Sequence, residues 1–313
     1  MRSLVTGGAG FIGSHLVDAL VAEGHHVRVL DDLSSGTTGN VHPGAELVVG
    51  DITDDKAVRG AVEGVDVVFH QAAHGSVLRS VRTPLTTDAA NIHGTLTVLS
   101  AALDAGVGRV VYASSSSVYG GAGPLPTPET APQVPRSPYA VTKMAAEHYC
   151  RVFAELHQLE TVALRYFNVF GPRQRPDSAY AAVIPLFLDA LRRGDRPTVH
   201  GDGHQSRDFT YVADVVAANR AAATAPAGVC SGKVYNIAGG REHSLLHLLA
   251  VLGSILEVEP GADHIAPRPG DIRHSRAEVS AARRDLGFQT RVTFEEGLRR
   301  TVSWFSGSRS PDR

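Results

Sequence analysis

The chain has 313 residues, 43% of them hydrophobic, long enough for about two domains and apolar enough to bury a core. Lys and Arg total 30 against 32 Asp and Glu, and the net charge of -2 offers no bulk positive charge for nucleic acid or an anionic membrane. Cys150 and Cys230 lack paired spacing, which excludes a disulfide framework and a multi-thiolate metal site and points to a reducing compartment. No apolar run approaches the ~18 residues of a membrane span. Met1-Arg2-Ser3 runs directly into an apolar strand rather than a signal peptide, so a soluble, cytoplasmic protein is expected.

Short β-branched apolar runs alternate with longer helical patterns through the first half, as in parallel strands joined by crossover helices. Strands are expected at 3–6, 26–30, 46–50, 65–70, 109–113 and 161–165, apolar nearly throughout because both faces are to be covered. Helices are expected at 11–23, 85–105 and 139–156, the last announced by Ser137-Pro138, a cap residue and a first-turn proline. The expected architecture is α/β, a doubly wound parallel sheet. After Phe170-Gly171-Pro172 the texture changes to Arg, Pro, Gly and Asp among short apolar runs, which suggests a smaller mixed C-terminal domain that shapes a site. A helix at 209–224 and a strand at 234–238 return the chain to the first domain. One domain is therefore expected at 1–170 with about 209–240, the other at 171–208 with 241–305, and a disordered tail at 306–313.

Gly7-Gly8-Ala9-Gly10-Phe11-Ile12-Gly13 follows the first strand and opens the first helix. Glycine there permits a tight turn, lets backbone amides approach a pyrophosphate at the helix N-terminus, and lets the helix pack close to the sheet. Ordinary tight turns use the same spacing. Asp31 sharpens the signal, because it ends the second strand about 20 residues on, where a carboxylate takes the ribose hydroxyls of NAD. Asp31 and Asp32 would repel a 2′-phosphate, so NAD is expected over NADP.

Tyr139 and Lys143 are four apart on a predicted helix and share a face. Lys56, Lys143 and Lys233 are the only lysines among 30 basic residues, which makes a lysine at 143 notable. Its ammonium, with the positive charge of an oxidised nicotinamide, is expected to bring Tyr139 down from about 10 toward neutrality, as a general base. The fifth strand ends in Ser114-Ser115-Ser116-Ser117, hydroxyl donors at a strand C-terminus, where open α/β sheets place their sites.

With these motifs, and with Arg165-Tyr166-Phe167-Asn168-Val169-Phe170-Gly171-Pro172 and Arg268-Pro269-Gly270-Asp271, nearly the whole chain resembles the extended short-chain dehydrogenase/reductase family. Within it the resemblance is to the NAD-dependent nucleotide-sugar epimerases and dehydratases, with the UDP-sugar 4-epimerases the nearest type. It implies a Rossmann-type sheet, NAD, a UDP-sugar substrate and a homodimer in which the helices at 85–105 and 139–156 pair. It assigns Ser115 as the catalytic hydroxyl, Tyr139 as the base, and Lys143 as its partner and a ribose ligand. NAD would lie on Gly7, Gly10, Phe11, Ile12, Asp31 and Asp32. It would continue over Ser35, Gly36, Asp51, Ile52, Gln71 and Ala72, and over Ala73, Asn91, Ser114, Tyr166 and Val169. The nucleotide diphosphate maps onto Asn168, Val183, Arg207, Arg268 and Asp271, and guanidinium suits a pyrophosphate bidentately. The stretch from Gly75 to Ser80, with Ser76 and Arg79, is expected to border the sugar.

A 4,6-dehydratase of this family carries Asp-Glu after the catalytic hydroxyl, and related decarboxylases a glutamate. Ser116 and Ser117 stand there, which leaves C4 epimerisation, with dehydration or an inactive NAD-binding relative as alternatives. Ser275 occupies a position where the family uses a bulky tyrosine to restrict the pocket to plain hexoses. Ser115, Ser116 and Ser117 could also hydrogen-bond a C6 carboxylate. Asn168 replaces a threonine frequent in uronate epimerases and counts modestly against that substrate. His243 and His247 hint at a metal, yet no third ligand is apparent among 15 histidines, so no metal is expected.

Overall fold

The structure, a computed structural model, describes residues 1–175, 182–267 and 272–307. β1 (Arg2–Thr6) passes through the glycine turn into α1 (Phe11–Ala22), then β2 (His26–Asp31), β3 (Glu46–Val49), α2 (Asp55–Val62) and β4 (Val67–His70). α3 (Val77–Arg82), α4 (Pro84–Asp88) and α5 (Gly94–Asp104) precede β5 (Arg109–Ser115), α6 (Pro138–His157) and β6 (Glu160–Tyr166). Beyond lie β7 (Val169–Phe170), α7 (Val183–Arg193), β8 (Thr198–His200), β9 (Ser206–Asp208) and β10 (Thr210–Tyr211). α8 (Val212–Thr224), α9 (Ala227–Cys230) and β11 (Lys233–Ile237) lead to β12 (Glu242–Ser244), α10 (Leu245–Leu256), β13 (Asp263–Ile265), α11 (Ser280–Leu286) and α12 (Phe294–Gly307).

Among the described residues the main sheet has seven parallel strands in the order β11-β6-β5-β4-β1-β2-β3. The order reverses beside β1, and the carboxyl ends of β1 and β4 flank the crevice where doubly wound sheets bind ligands. Leu16, Val17, Val215, Ala218 and Ala282, from α1, α8 and α11, pack into one sheet core. Val58, Val98, Leu99 and Ala146, from α2, α5 and α6, pack into the other. A third core, with Ile184, Leu188, Phe209, Leu248, Phe294 and Leu298, binds α7, α10 and α12 together into the smaller mixed C-terminal region.

The helix expected at 85–105 is broken. Residues Ala89–His93 form a π-helical turn between α4 and α5. The buried Asn91 in that turn accepts from His74 N at 2.8 Å and donates to Thr142 Oγ1 at 3.0 Å, contacts to distant segments that periodicity does not reveal. The helix expected from 209 begins at Val212, because Thr210–Tyr211 pairs with β7. Ser306 and Gly307, expected to open a tail, instead finish α12; 308–313 lie outside the described residues. No described helix is long and apolar enough to cross a membrane.

Candidate active site

Gly7 has φ +69°, and a Cβ there would stand 2.7 Å from Ala72 N, while one on Gly13 would overlap the Gly7 carbonyl. The turn therefore accepts backbone alone. α1 starts at Gly10 with no side chain capping it, which leaves its first amides free to meet an anion. Asp31, at the tip of β2, accepts from Ala9 N and Leu33 N, each at 2.9 Å. Burial raises its carboxyl above the ordinary value against the pull of those two donors. A cleft of about 460 Å³ runs from Asp31, Asp32 and Ser35 across Gly7, Gly10, Phe11 and Ile12. It continues past Asp51, Ile52, Gln71, Ala72 and Ala73 to Ser114, Tyr139, Lys143 and Tyr166.

α6 delivers the next part. Ser137 caps it by accepting from Ala140 N at 3.2 Å, Pro138 occupies its first turn, and Tyr139, Lys143 and Glu147 follow at four-residue intervals on one side. Lys143 is buried and donates to Ala113 O at 2.7 Å, with Nζ 5.9 Å from the centre of the Tyr139 ring. Burial lowers Lys143 to about 8, while the nearby Cys150 and Glu147 oppose that shift. Tyr139 is half-buried, and its phenol moves the other way from the sequence expectation: burial pushes it up, and a hydrogen bond with Ser115 pulls against this. On the chain's own groups, desolvation outweighs that hydrogen bond.

A second cleft of about 660 Å³ adjoins the first, and the two share Phe11, Ile12, Gly75, Ser114, Tyr139 and Tyr166. Ser115, Ser116, Ser117, Asn168, Val169 and Arg207 line it. Ser117 Oγ and Gln174 Oε1 are buried on this wall without a protein partner, two hydrogen-bonding positions open to a polar ligand. Arg136, Arg207 and Arg273 line the cleft, and among the described residues no Asp or Glu does. The arrangement can hold an anionic, hydroxylated molecule against a tyrosine that also faces the first cleft.

A family model described as the NAD dependent epimerase/dehydratase family matches residues 3–238. The chain belongs to this family. It is 41% identical over 312 residues to the UDP-glucose 4-epimerase of Mycolicibacterium smegmatis, covering 97% of this chain and 98% of that one. The UDP-glucose 4-epimerase of Thermotoga maritima, solved with UDP-glucose, superposes with a TM-score of 0.94 at 38% identity over 98% of this chain and 99% of that one. A UDP-N-acetylglucosamine 4-epimerase from Methanobrevibacter ruminantium, solved with UDP-N-acetylmuramic acid, gives a TM-score of 0.93 at 39% identity over 98% of both chains. dTDP-glucose 4,6-dehydratases also align along nearly the whole chain.

The cofactor of this epimerase/dehydratase family member is NAD. The first cleft fits it: the crowded glycine turn, the uncapped start of α1 and the Asp31 carboxylate supply what a pyrophosphate and a ribose require. Gly36 and Asn91 do not line that cleft. Gly36 backs onto Ala9, where a Cβ would come within 2.7 Å, and Asn91 braces the His74 backbone from behind. Val169 lies on the second cleft instead. Ser76, Arg79 and Val183 line neither cleft; Ser76 caps α3, Arg79 lies within it, and Val183 begins α7. Arg268 and Asp271 lie outside the described residues. Sequence reasoning missed His74, Arg136, Gln174 and His274, which reach the clefts from loops with no periodic signal.

Proposed function

We propose that the chain is an NAD-dependent UDP-hexose 4-epimerase that inverts C4 through a transient 4-keto sugar. UDP-glucose, UDP-glucuronate and UDP-N-acetylglucosamine are the candidate substrates. The observation that carries this is the second cleft: Tyr139 stands on the wall it shares with the first, and no carboxylate lines it among the described residues. Removing water across C5 and C6 needs an acid and a base, and Ser116 and Ser117 occupy the positions where the dehydratases carry them.

NAD held along the first cleft, over the glycine turn and Asp31, would supply the hydride acceptor and donor for C4. Tyr139 Oη accepts the proton of the 4-hydroxyl as the carbonyl forms and gives it back when the carbonyl is reduced. Ser115, hydrogen-bonded to Tyr139, donates to the same sugar oxygen as negative charge gathers there. Lys143, anchored on Ala113 O, supplies a positive charge beneath the phenol while it is protonated. Arg207, held by its donation to Ile272 O at 2.6 Å, suits the diphosphate. The nucleotide stays held while the keto sugar presents its other face.

Asn168 carries less information about the substrate than its difference from threonine suggests. Its φ is +35°, a backbone that asparagine adopts more readily than a β-branched residue, and its amide donates to Asp208 O at 3.0 Å. The asparagine thus answers to the backbone, and the uronate stays among the candidates beside the serine run and the arginines. We also propose the domain division at 1–170 with 209–240 and 171–208 with 241–305, and a homodimer. Val77, Leu78, Val81, Leu85, Val152 and Leu156 are among the apolar side chains that stay exposed and lie on α3, α4 and α6, whereas α5 is spent on the core.

The test incubates purified protein separately with the three sugars, without and then with added NAD, and follows C4 by proton NMR. Inversion of one sugar supports the proposal and names the substrate. A 4-keto-6-deoxy product, or no conversion of any sugar, overturns it.

A further inference from the structure

The sequence offers His243 and His247 without a third ligand, and folding supplies one. His243 is the middle residue of β12, His247 lies in the first turn of α10, and Glu295 stands at the start of α12. One donor atom from each lies within 4.8 Å of the others. We propose that His243, His247 and Glu295 bind a divalent transition ion of the zinc type.

Two imidazoles and a carboxylate are donors that zinc, cobalt, nickel and copper prefer, and that magnesium and calcium do not. Donors around a tetrahedral zinc stand about 3.4 Å apart, given Zn–N bonds of about 2.1 Å. The present spacing must therefore close by roughly an ångström. His247 and Glu295 can do this, since their side chains are 46% and 42% exposed and already approach to 3.7 Å. His243 is the fixed member, with its ring stacked on Phe294 at a centroid distance of 4.1 Å.

The surroundings indicate what completes the shell. His243 and Glu295 open onto a cavity of about 800 Å³ that Arg241, Arg276, Glu278, Arg283 and Arg291 also line. Four guanidinium groups against the single further carboxylate of Glu278 disfavour a bare dication and favour an ion whose fourth ligand is an anion, such as phosphate or a carboxylate. None of the residues lining this cavity lines either catalytic cleft, so the site stands apart from the proposed reaction. An ion there would tie β12, α10 and α12 together within the third core.

The test uses the full-length chain without an affinity tag, stripped with chelator and titrated with Co²⁺ alone, then with Zn²⁺ alone and Mg²⁺ alone. The expected result is one equivalent of Co²⁺ or Zn²⁺ at micromolar affinity or better, with the visible absorption of a low-coordinate cobalt site. Saturating zinc should raise the melting temperature by about 2–4 °C, and magnesium should leave it unchanged. His247→Asn and Glu295→Gln should each weaken binding at least about tenfold, the loss that disturbing even an outer-shell partner causes. Both sites are half-exposed, so both variants should fold. Absence of stoichiometric binding, or unchanged binding in either variant, overturns the proposal and leaves an ordinary ion pair beside scattered surface histidines.

Discussion

Glu147 and Arg165 form a buried two-pronged ion pair, with Arg165 Nε donating at 2.9 Å and Nη2 at 2.7 Å, and the same carboxylate accepts the hydroxyl hydrogen of Ser114. Their side chains are 3% and 5% exposed, so the pair is shielded from water and tied to the end of β5 that carries the serine run. Glu147→Ala strands the guanidinium without a countercharge and should cost about 3–5 kcal/mol of stability. A denaturation midpoint equal to wild type would show that the pair bears no such weight.

Tyr139→Phe should fold, retain NAD and lose about 10²–10⁴ in turnover, because only the ionisable oxygen is removed. Ser115→Ala should lose about 10²–10³. Near-normal rates in the phenylalanine variant, measured with the natural substrate once it is known, would remove Tyr139 from the role of base.

Lys143 is lowered to about 8 by burial, and the protonated form is the one that assists the phenol. Turnover should therefore fall as pH rises through about 8. Stability moves oppositely: between about 8 and the ordinary lysine value the unfolded chain holds a proton that the folded chain has released, so folding gains with pH. A pH–rate profile without an alkaline limb would contradict the first half, and a falling denaturation midpoint over that window the second.

His70 is buried between Thr6 Oγ1 at 2.7 Å and Thr95 Oγ1 at 3.0 Å, and burial, with the Lys143 charge, lowers it to about 3. The ring stays neutral in the folded chain while the unfolded chain protonates below about 6.5. Stability should therefore drop as pH falls below 6.5, by up to about 1.4 kcal/mol per pH unit until about 3. His70→Gln, which keeps a side chain able to hydrogen-bond, should flatten that part of the curve. An unchanged acid slope in the variant would assign the loss to other groups.

The parts of this molecule that were legible in advance are those governed by local pattern. The strands at 3–6 and 26–30 and the capped start of α6 follow from apolar runs and from Ser137-Pro138, and the structure has them with shifts of a residue or two. Elements controlled by distant contacts were hidden. The π-helical turn at Asn91 depends on His74 and Thr142, and Gly94 just beyond it packs so tightly on Ile52 that a Cβ would stand 2.6 Å from Cδ1. In the candidate site, Tyr139 and Lys143 stood out by their four-residue helical spacing and Ser115 by the family resemblance, and the structure brings Tyr139 beside Lys143 on the first cleft and beside Ser115 on the second. Arg136, Gln174 and Glu295 did not stand out, because each reaches its neighbours only through the tertiary fold.

β11 forms one edge of the main sheet, although 66 residues of chain separate its first residue from the last of β6, its neighbour. Between the two strands the polypeptide leaves the sheet, builds much of the third core, and comes back along α8. The smaller region is thus sewn in by its middle rather than appended at an end. Cutting the gene after β6 would bare that strand's ladder of amides and carbonyls, turning a protected seam into an adhesive margin. Neither half should be recoverable as a well-behaved fragment, and swapping substrate regions between relatives would have to carry both seams together.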